Sequence, residues 1–282
     1  MQGYLQHSEI PGAPANPCLV CWGGLKESFI VAASASTVTR KGVPPLRAGQ
    51  GNSFLLRRLH SLSGIVPVGA FLVEHFISNA FATNGPHAYG EQVKFLTGLP
   101  FAEVLEWVGI YIPLLYHAIY GFYIWFRGEG NVTEYPWTGN WMYTAQRWTG
   151  LIAFIYIGWH VYTMRVLGPH LFGATNGVPG YMLAFGKVQG ELMITWAMLF
   201  YVVGIIAASW HFAYGIWLFC AKWGIAVGDN ARRKLGYVCL AIALAFIGTG
   251  LMTIRAFRVS QWQGEDQKVH EIEQHQTDQP NY

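Results

Sequence analysis

Residues 192–221 read LMITWAMLFYVVGIIAASWHFAYGIWLFCA, a run without one Asp, Glu, Lys or Arg. A helix needs about 20 residues to cross a hydrocarbon core of roughly 30 Å, so this block predicts a membrane span. Its one histidine, His211, lies deep inside it. Four more blocks of the same character follow outward from it, at 59–81, 103–126, 147–168 and 235–257. Charge falls mostly at their ends, and Glu74 is the one acid well inside a span. Pro67 and Pro113 sit within the first two blocks, where kinks are tolerated if neighbouring helices satisfy the freed carbonyls. The expected fold class is therefore all-α, an integral membrane bundle of five transmembrane helices.

Composition agrees. Of the 282 residues 52% are hydrophobic and only 12% charged, about half the charge of a typical soluble domain. That argues against disorder, a coiled coil or a nucleic-acid partner, and a net charge of +3 is too small to imply any polyanion. Residues 1–52 are rich in Gly, Pro, Ala and Ser and read as a flexible cytoplasmic arm. Phe29 to Ala35 is too short, with Glu27 just before it, for a cleaved signal peptide. Residues 53–258 form the membrane domain, and 259–282 a polar tail. Cys18 and Cys21 make a lone C-x-x-C, and Trp22 stands where covalent haem attachment needs a histidine. Cys220 and Cys239 read as small buried hydrophobes.

Basic residues give a direction. With the N-terminus inside, one side holds Lys26, Arg40, Lys41, Arg47, Arg57, Arg58, Arg127, Arg147, Lys222, Arg232, Arg233 and Lys234. The other holds only Lys94, Arg165, Lys187, Arg255, Arg258 and Lys268. The positive-inside bias therefore predicts a cytoplasmic N-terminus and an external C-terminus.

His75, His117, His160 and His211 lie one per span on spans one to four. Any single one could be a core histidine bonded to a carbonyl. Four on consecutive helices point to function, because ionisable groups inside a membrane are costly. At 1.5 Å per residue, His75 and His160 lie about 24 and 20 Å from the inner end of their spans. His117 and His211 lie about 21 and 28 Å from the outer end of theirs. Two level pairs result: His75 with His160 outside, His117 with His211 inside. Two facing imidazoles at one depth are the ligand set of a six-coordinate b-type haem, whereas zinc needs three or four converging donors. Two haem b groups, one near each face, are expected.

Local sequence supports the pairing. His117-Ala-Ile-Tyr-Gly121 and His211-Phe-Ala-Tyr-Gly215 share H-x-x-Y-G, and Ser63-Gly64 and Thr149-Gly150 precede His75 and His160 by similar distances. The pattern hints at a repeated two-helix unit. Candidate partners for haem propionates are Arg57, Arg58, His60, Ser61, Arg147 and Lys222 inside, and Arg165 outside. The alternative is that these are ordinary interfacial anchors.

Arg57-Arg58-Leu59-His60-Ser61, Pro113-Leu-Leu-Tyr-His117, Asn140-Trp-Met with Gln146-Arg147, Trp159-His160-Val161, His211-Phe212 and Trp223-Gly224-Ile225 resemble the single-chain di-haem cytochrome b anchor of succinate dehydrogenases and fumarate reductases. The likeness spans roughly residues 53–257 and is greatest to the menaquinone-linked bacterial group. It implies a subunit that is not an enzyme alone, held in a bacterial inner membrane with flavoprotein and iron–sulfur partner subunits. By the same resemblance the His117–His211 haem accepts electrons from the iron–sulfur subunit. The His75–His160 haem exchanges them with quinone near the outer face, and Lys222 lies near the inner propionates. Some relatives carry a glutamate two residues before the fourth ligand as a proton path. Ser209 stands there, so that path is not carried over. Glu74, Asn79, Glu103 and Glu106 are candidate quinone-site groups, beside the alternative that they are only interfacial polar residues. Two rivals remain: a cytochrome b anchor of a hydrogenase or formate dehydrogenase, and a haem-free membrane protein.

Overall fold

The computed structural model describes residues 50–128, 130, 132–168, 174–175, 177–259, 264, 268 and 271. Residues 1–49 of the expected arm, with Cys18 and Cys21, and most of the tail lie outside the described residues, while 50–52 already belong to a helix.

The chain runs α1 (Gln50–Ile65), α2 (Pro67–Ala80), a 3₁₀ turn (Phe81–Asn84), α3 (Pro86–Thr97), α4 (Ala102–Glu106), a π-turn (Trp107–Tyr111) and α5 (Ile112–Arg127). It continues with α6 (Thr138–Val161), a second π-turn (Tyr162–Val166), a two-stranded hairpin, α7 (Gly180–Met193), α8 (Thr195–Lys222) and α9 (Asp229–Arg258). The hairpin pairs β1 (Ala174–Thr175) with β2 (Val178–Pro179) antiparallel. That hairpin and the two short helices α3 and α7 are additions to the expected span pattern.

Among the described residues, four helical stretches are long and apolar enough to cross a membrane: Ser53–Asn84, Ala102–Arg127, Thr195–Lys222 and Asp229–Arg258. The remaining expected span coincides with α6, a helix of 24 residues. It is long enough but less apolar, because its first half carries Asn140, Gln146 and Arg147. Span one is two helices rather than one. Pro67 has no N–H to give, so the helix breaks at Val66 and α2 restarts with proline in its first turn. In α5 the same deficit at Pro113 coincides with the π-turn just before it, a local rearrangement of the kind that absorbs a missing ladder bond.

Packing relies on small residues, since lipid offers little hydrophobic drive between helices. The Tyr156 ring sits directly over Gly204, and Ile205 of α8 lies where a side chain on Gly250 would be. The near end of the bundle is where α1 begins, and the far end is where α2 finishes. The densest core lies at the far end, where α3 and α7 fold over spans one, four and five. There Phe185 and Phe257 are each 1% exposed, among Ala82, Tyr89, Leu192, Tyr201 and Ile254. Gln189 of α7 donates to the Phe257 carbonyl at 2.9 Å, and Arg258 of α9 donates to the Leu192 carbonyl of α7. Each helix thus caps the other's C-terminus, meeting acceptors that the last turn leaves unpaired. A smaller cluster of Ala213, Cys239 and Ala243 lies between α8 and α9.

Candidate cofactor sites

His75, His117, His160 and His211 meet in two pairs. The rings of His75 (α2) and His160 (α6) have centroids 5.6 Å apart. Those of His117 (α5) and His211 (α8) are 6.1 Å apart. Among the described residues no group of three or more His, Cys, Asp or Glu side chains converges on a common point, so the donor sets are pairs.

The near-end pair is built by repetition. The His117 Nδ1 lies 2.9 Å from the carbonyl oxygen of His60, and the His211 Nδ1 lies 3.1 Å from that of Gln146. Each carbonyl belongs to the residue four before a glycine, Gly64 or Gly150, and the ring rests on that glycine. A Cβ on Gly64 would come within 2.6 Å of the His117 Nδ1, and one on Gly150 within 2.8 Å of the His211 Cε1. Ser63 also donates to the His60 carbonyl, at 3.0 Å, and Thr149 donates to that of Gln146 at 3.2 Å. The glycines of the two H-x-x-Y-G motifs face the same equivalent positions: Gly121 faces His60, and Gly215 faces Gln146. The repeat suggested by short sequence matches therefore has a three-dimensional counterpart, α1 with α5 and α6 with α8.

Around this pair the expected propionate partners gather. His60 stacks on His117, ring centroids 4.1 Å apart. Arg58 lies between the Phe54 and Trp223 rings. Ser61 donates to the Arg58 carbonyl at 2.9 Å and accepts from the Trp223 indole at 3.2 Å. Lys222 is near enough to Arg57 and Arg58 to feel their charge. Arg147 donates to the Trp125 and Gly128 carbonyls at the end of α5. Several buried polar atoms here have no partner among the described residues: His60 Nδ1, Tyr120 Oη, Gln146 Oε1 and Arg147 Nε. Such atoms are costly unless something meets them.

The far-end pair is supported differently. The His160 Nδ1 lies 3.1 Å from the Tyr201 hydroxyl, and the Tyr156 ring stacks beside His160. Asn79 donates to the His75 carbonyl at 2.8 Å, and its amide lies 3.4 Å from the His75 Nε2. Tyr89 of α3 donates to Asn79 at 3.3 Å. Burial pushes the Tyr89 phenol well above its usual range, so it stays a protonated donor.

The four candidate quinone groups do not form one cluster. Arg165 binds Glu106 through two nitrogens at 3.0 and 3.1 Å, and Tyr111 donates to the same carboxylate at 3.0 Å. The cation expected for an outer propionate is thus engaged with an expected quinone-site acid. Glu74 accepts from Ser78, which in turn accepts from Gln92 of α3 at 2.9 Å. Asn79 belongs with His75, and Glu103 is exposed. Tyr111, Ser78, Gln92 and Tyr89 carried no sequence signal, since each becomes relevant only through a partner on another turn or helix.

Fold and side chains define a helical, multi-pass membrane protein whose long helices bring histidines together in two pairs. The family model described as succinate dehydrogenase/fumarate reductase transmembrane subunit matches residues 131–250. The chain is 38% identical over 205 residues to the succinate dehydrogenase cytochrome b558 subunit of Bacillus subtilis (strain 168), an alignment covering 72% of this chain and 96% of that relative. The chain belongs to the family of succinate dehydrogenase cytochrome b membrane subunits. As such it is an electron-transfer membrane subunit and not the catalytic one.

Proposed function

We propose that the chain anchors a succinate:quinone oxidoreductase and relays electrons between its iron–sulfur subunit and membrane quinone through two bis-histidine b-type haems. Haem iron, when bound, supplies a reversible one-electron carrier. The observation that carries the reading is the pair of histidine pairs, His117–His211 and His75–His160, at opposite ends of a helical bundle of this family. Imidazole rings with centroids 5.6 and 6.1 Å apart would hold one haem iron between the two members of each pair. The carbonyls at His60 and Gln146 keep Nδ1 protonated and leave Nε2 for the metal. The unpartnered Arg147 Nε, Tyr120 Oη and His60 Nδ1 can each donate to a group that brings its own anionic oxygens, whereas the Gln146 Oε1 can only accept. Arg57, Arg58 and Lys222 add positive charge at that end, with the Ser61 hydroxyl held beside them by the Arg58 carbonyl and the Trp223 indole.

The same reading makes all five long helices, α6 included, membrane spans of a domain over residues 53–258. The near end is cytoplasmic, the membrane is the bacterial inner membrane, and flavoprotein and iron–sulfur subunits dock at that end. Quinone, as menaquinone, reacts at the far end. The Glu106–Arg165–Tyr111 cluster and, separately from it, Glu74, Asn79 and Glu103 supply polar groups there.

Extraction of the purified complex should give two non-covalent haems per chain, with flavin in fixed ratio. Replacing His211 by Leu should remove the near-end component of the reduced-minus-oxidised spectrum and leave the far one. Loss of the far component instead would overturn the pairing. A quinone-analogue inhibitor should shift the midpoint potential of the far haem alone. A shift confined to the near one would move the quinone site to the cytoplasmic side.

A further inference from the structure

The two ends of the bundle hold their histidines by different chemistry. At the near end both Nδ1 atoms face main-chain carbonyls. At the far end the His160 Nδ1 faces a side chain, the Tyr201 hydroxyl, at 3.1 Å. Tyr201 is 5% exposed and its ring meets that of His160 edge-on, centroids 5.7 Å apart. Thr163, one turn from His160 and 5% exposed, donates to the His160 carbonyl at 3.4 Å. The Tyr201 hydroxyl of α8 is thus the side-chain group that the structure sets against the His160 Nδ1.

A neutral imidazole has one N–H, and the nitrogen that binds a metal must be the other one. If the His160 Nε2 ligates iron, Nδ1 carries the proton and Tyr201 must accept it. We propose that Tyr201 is a positioning residue, whose hydroxyl oxygen accepts the His160 Nδ1–H and fixes the tautomer and ring direction that present Nε2 to the far haem. The proposal rests on the reading of His160 as a haem ligand. A phenol oxygen that accepts from the ligand raises its basicity, which favours ferric over ferrous iron. Removing the hydroxyl should therefore raise the midpoint potential of that haem.

The test uses the purified complex with three variants, each followed by haem quantification, redox titration and low-spin electron paramagnetic resonance. His160→Leu should lose one haem. Tyr201→Phe keeps the ring and removes only the hydroxyl. It should shift the far haem upward by about a tenfold change in ferric preference, about 59 mV for a one-electron couple, with an altered far-haem resonance signal and the near haem unmoved. Tyr156→Phe removes a hydroxyl from a ring that stacks beside His160 without bonding to it, and should leave both potentials in place. Selective loss of the far haem in Tyr201→Phe, with retention in Tyr156→Phe, also supports the assignment. An unshifted far haem in Tyr201→Phe, an equal shift in Tyr156→Phe, or a shift of both haems would overturn it. Two haems retained in His160→Leu would instead overturn the ligand reading beneath it, a distinct result.

Discussion

Gly64 and Gly150 are seats for imidazole rings, and a single methyl group tests them. A Cβ on either glycine would enter the space of the ring it supports. We expect Gly64→Ala to lower haem content from about two to about one per chain by removing the His117–His211 component. Gly150→Ala should do the same more mildly, because the contact there is less close; quantitative haem extraction from the two variants distinguishes them. Much at this scale was legible in the sequence. Histidine depth gave the pairs, and H-x-x-Y-G with the Ser/Thr-Gly steps gave the repeat. Tyr201 was not legible, since a tyrosine in an apolar block looks like any packing aromatic. The Glu106–Arg165 pair joins residues 59 apart in sequence, and no local pattern announces it. That pair carries its own expectation. Glu106→Gln removes the negative charge that faces Arg165, and a net gain of positive charge on the far-haem side favours the reduced state. Redox titration should show the far haem raised and the near haem unchanged.

At the scale of helices, α7 and α9 cap each other through Gln189 and Arg258. Gln189→Leu leaves a buried main-chain acceptor short of a donor, a loss of about 1–3 kcal/mol. The apparent unfolding temperature in detergent, followed by tryptophan fluorescence, should fall, and Arg258→Ala should act in the same direction. Neither α3 nor α7 is visible to hydropathy, which finds segments that cross a membrane and is blind to helices folded back over one end. Prolines within spans are tolerable, as their sequence context suggests, yet the break at Val66 and the π-turn before Pro113 depend on how neighbouring turns recover lost bonds. The apolar block at 147–168 announces a helix there, although α6 begins earlier, at Thr138, and Asn140, Gln146 and Arg147 dilute its apolar character.

For the whole molecule, the direction of insertion is the clearest remaining test. With the near end cytoplasmic, a cysteine replacing Lys94 of α3 should react with a membrane-impermeant maleimide added outside intact cells. One replacing Asn230 at the start of α9 should react only after lysis. The opposite pattern would reverse the topology. The two ends also differ in how they respond to inheritance. The hydrogen-bond acceptors behind His117 and His211 are backbone carbonyls, which every amino acid possesses, so no codon change at residues 60 or 146 can abolish them. The acceptor behind His160 is a phenol, and one nucleotide separates a tyrosine codon from a phenylalanine codon. Random mutation can therefore erode the support of one histidine pair while leaving that of the other almost beyond its reach.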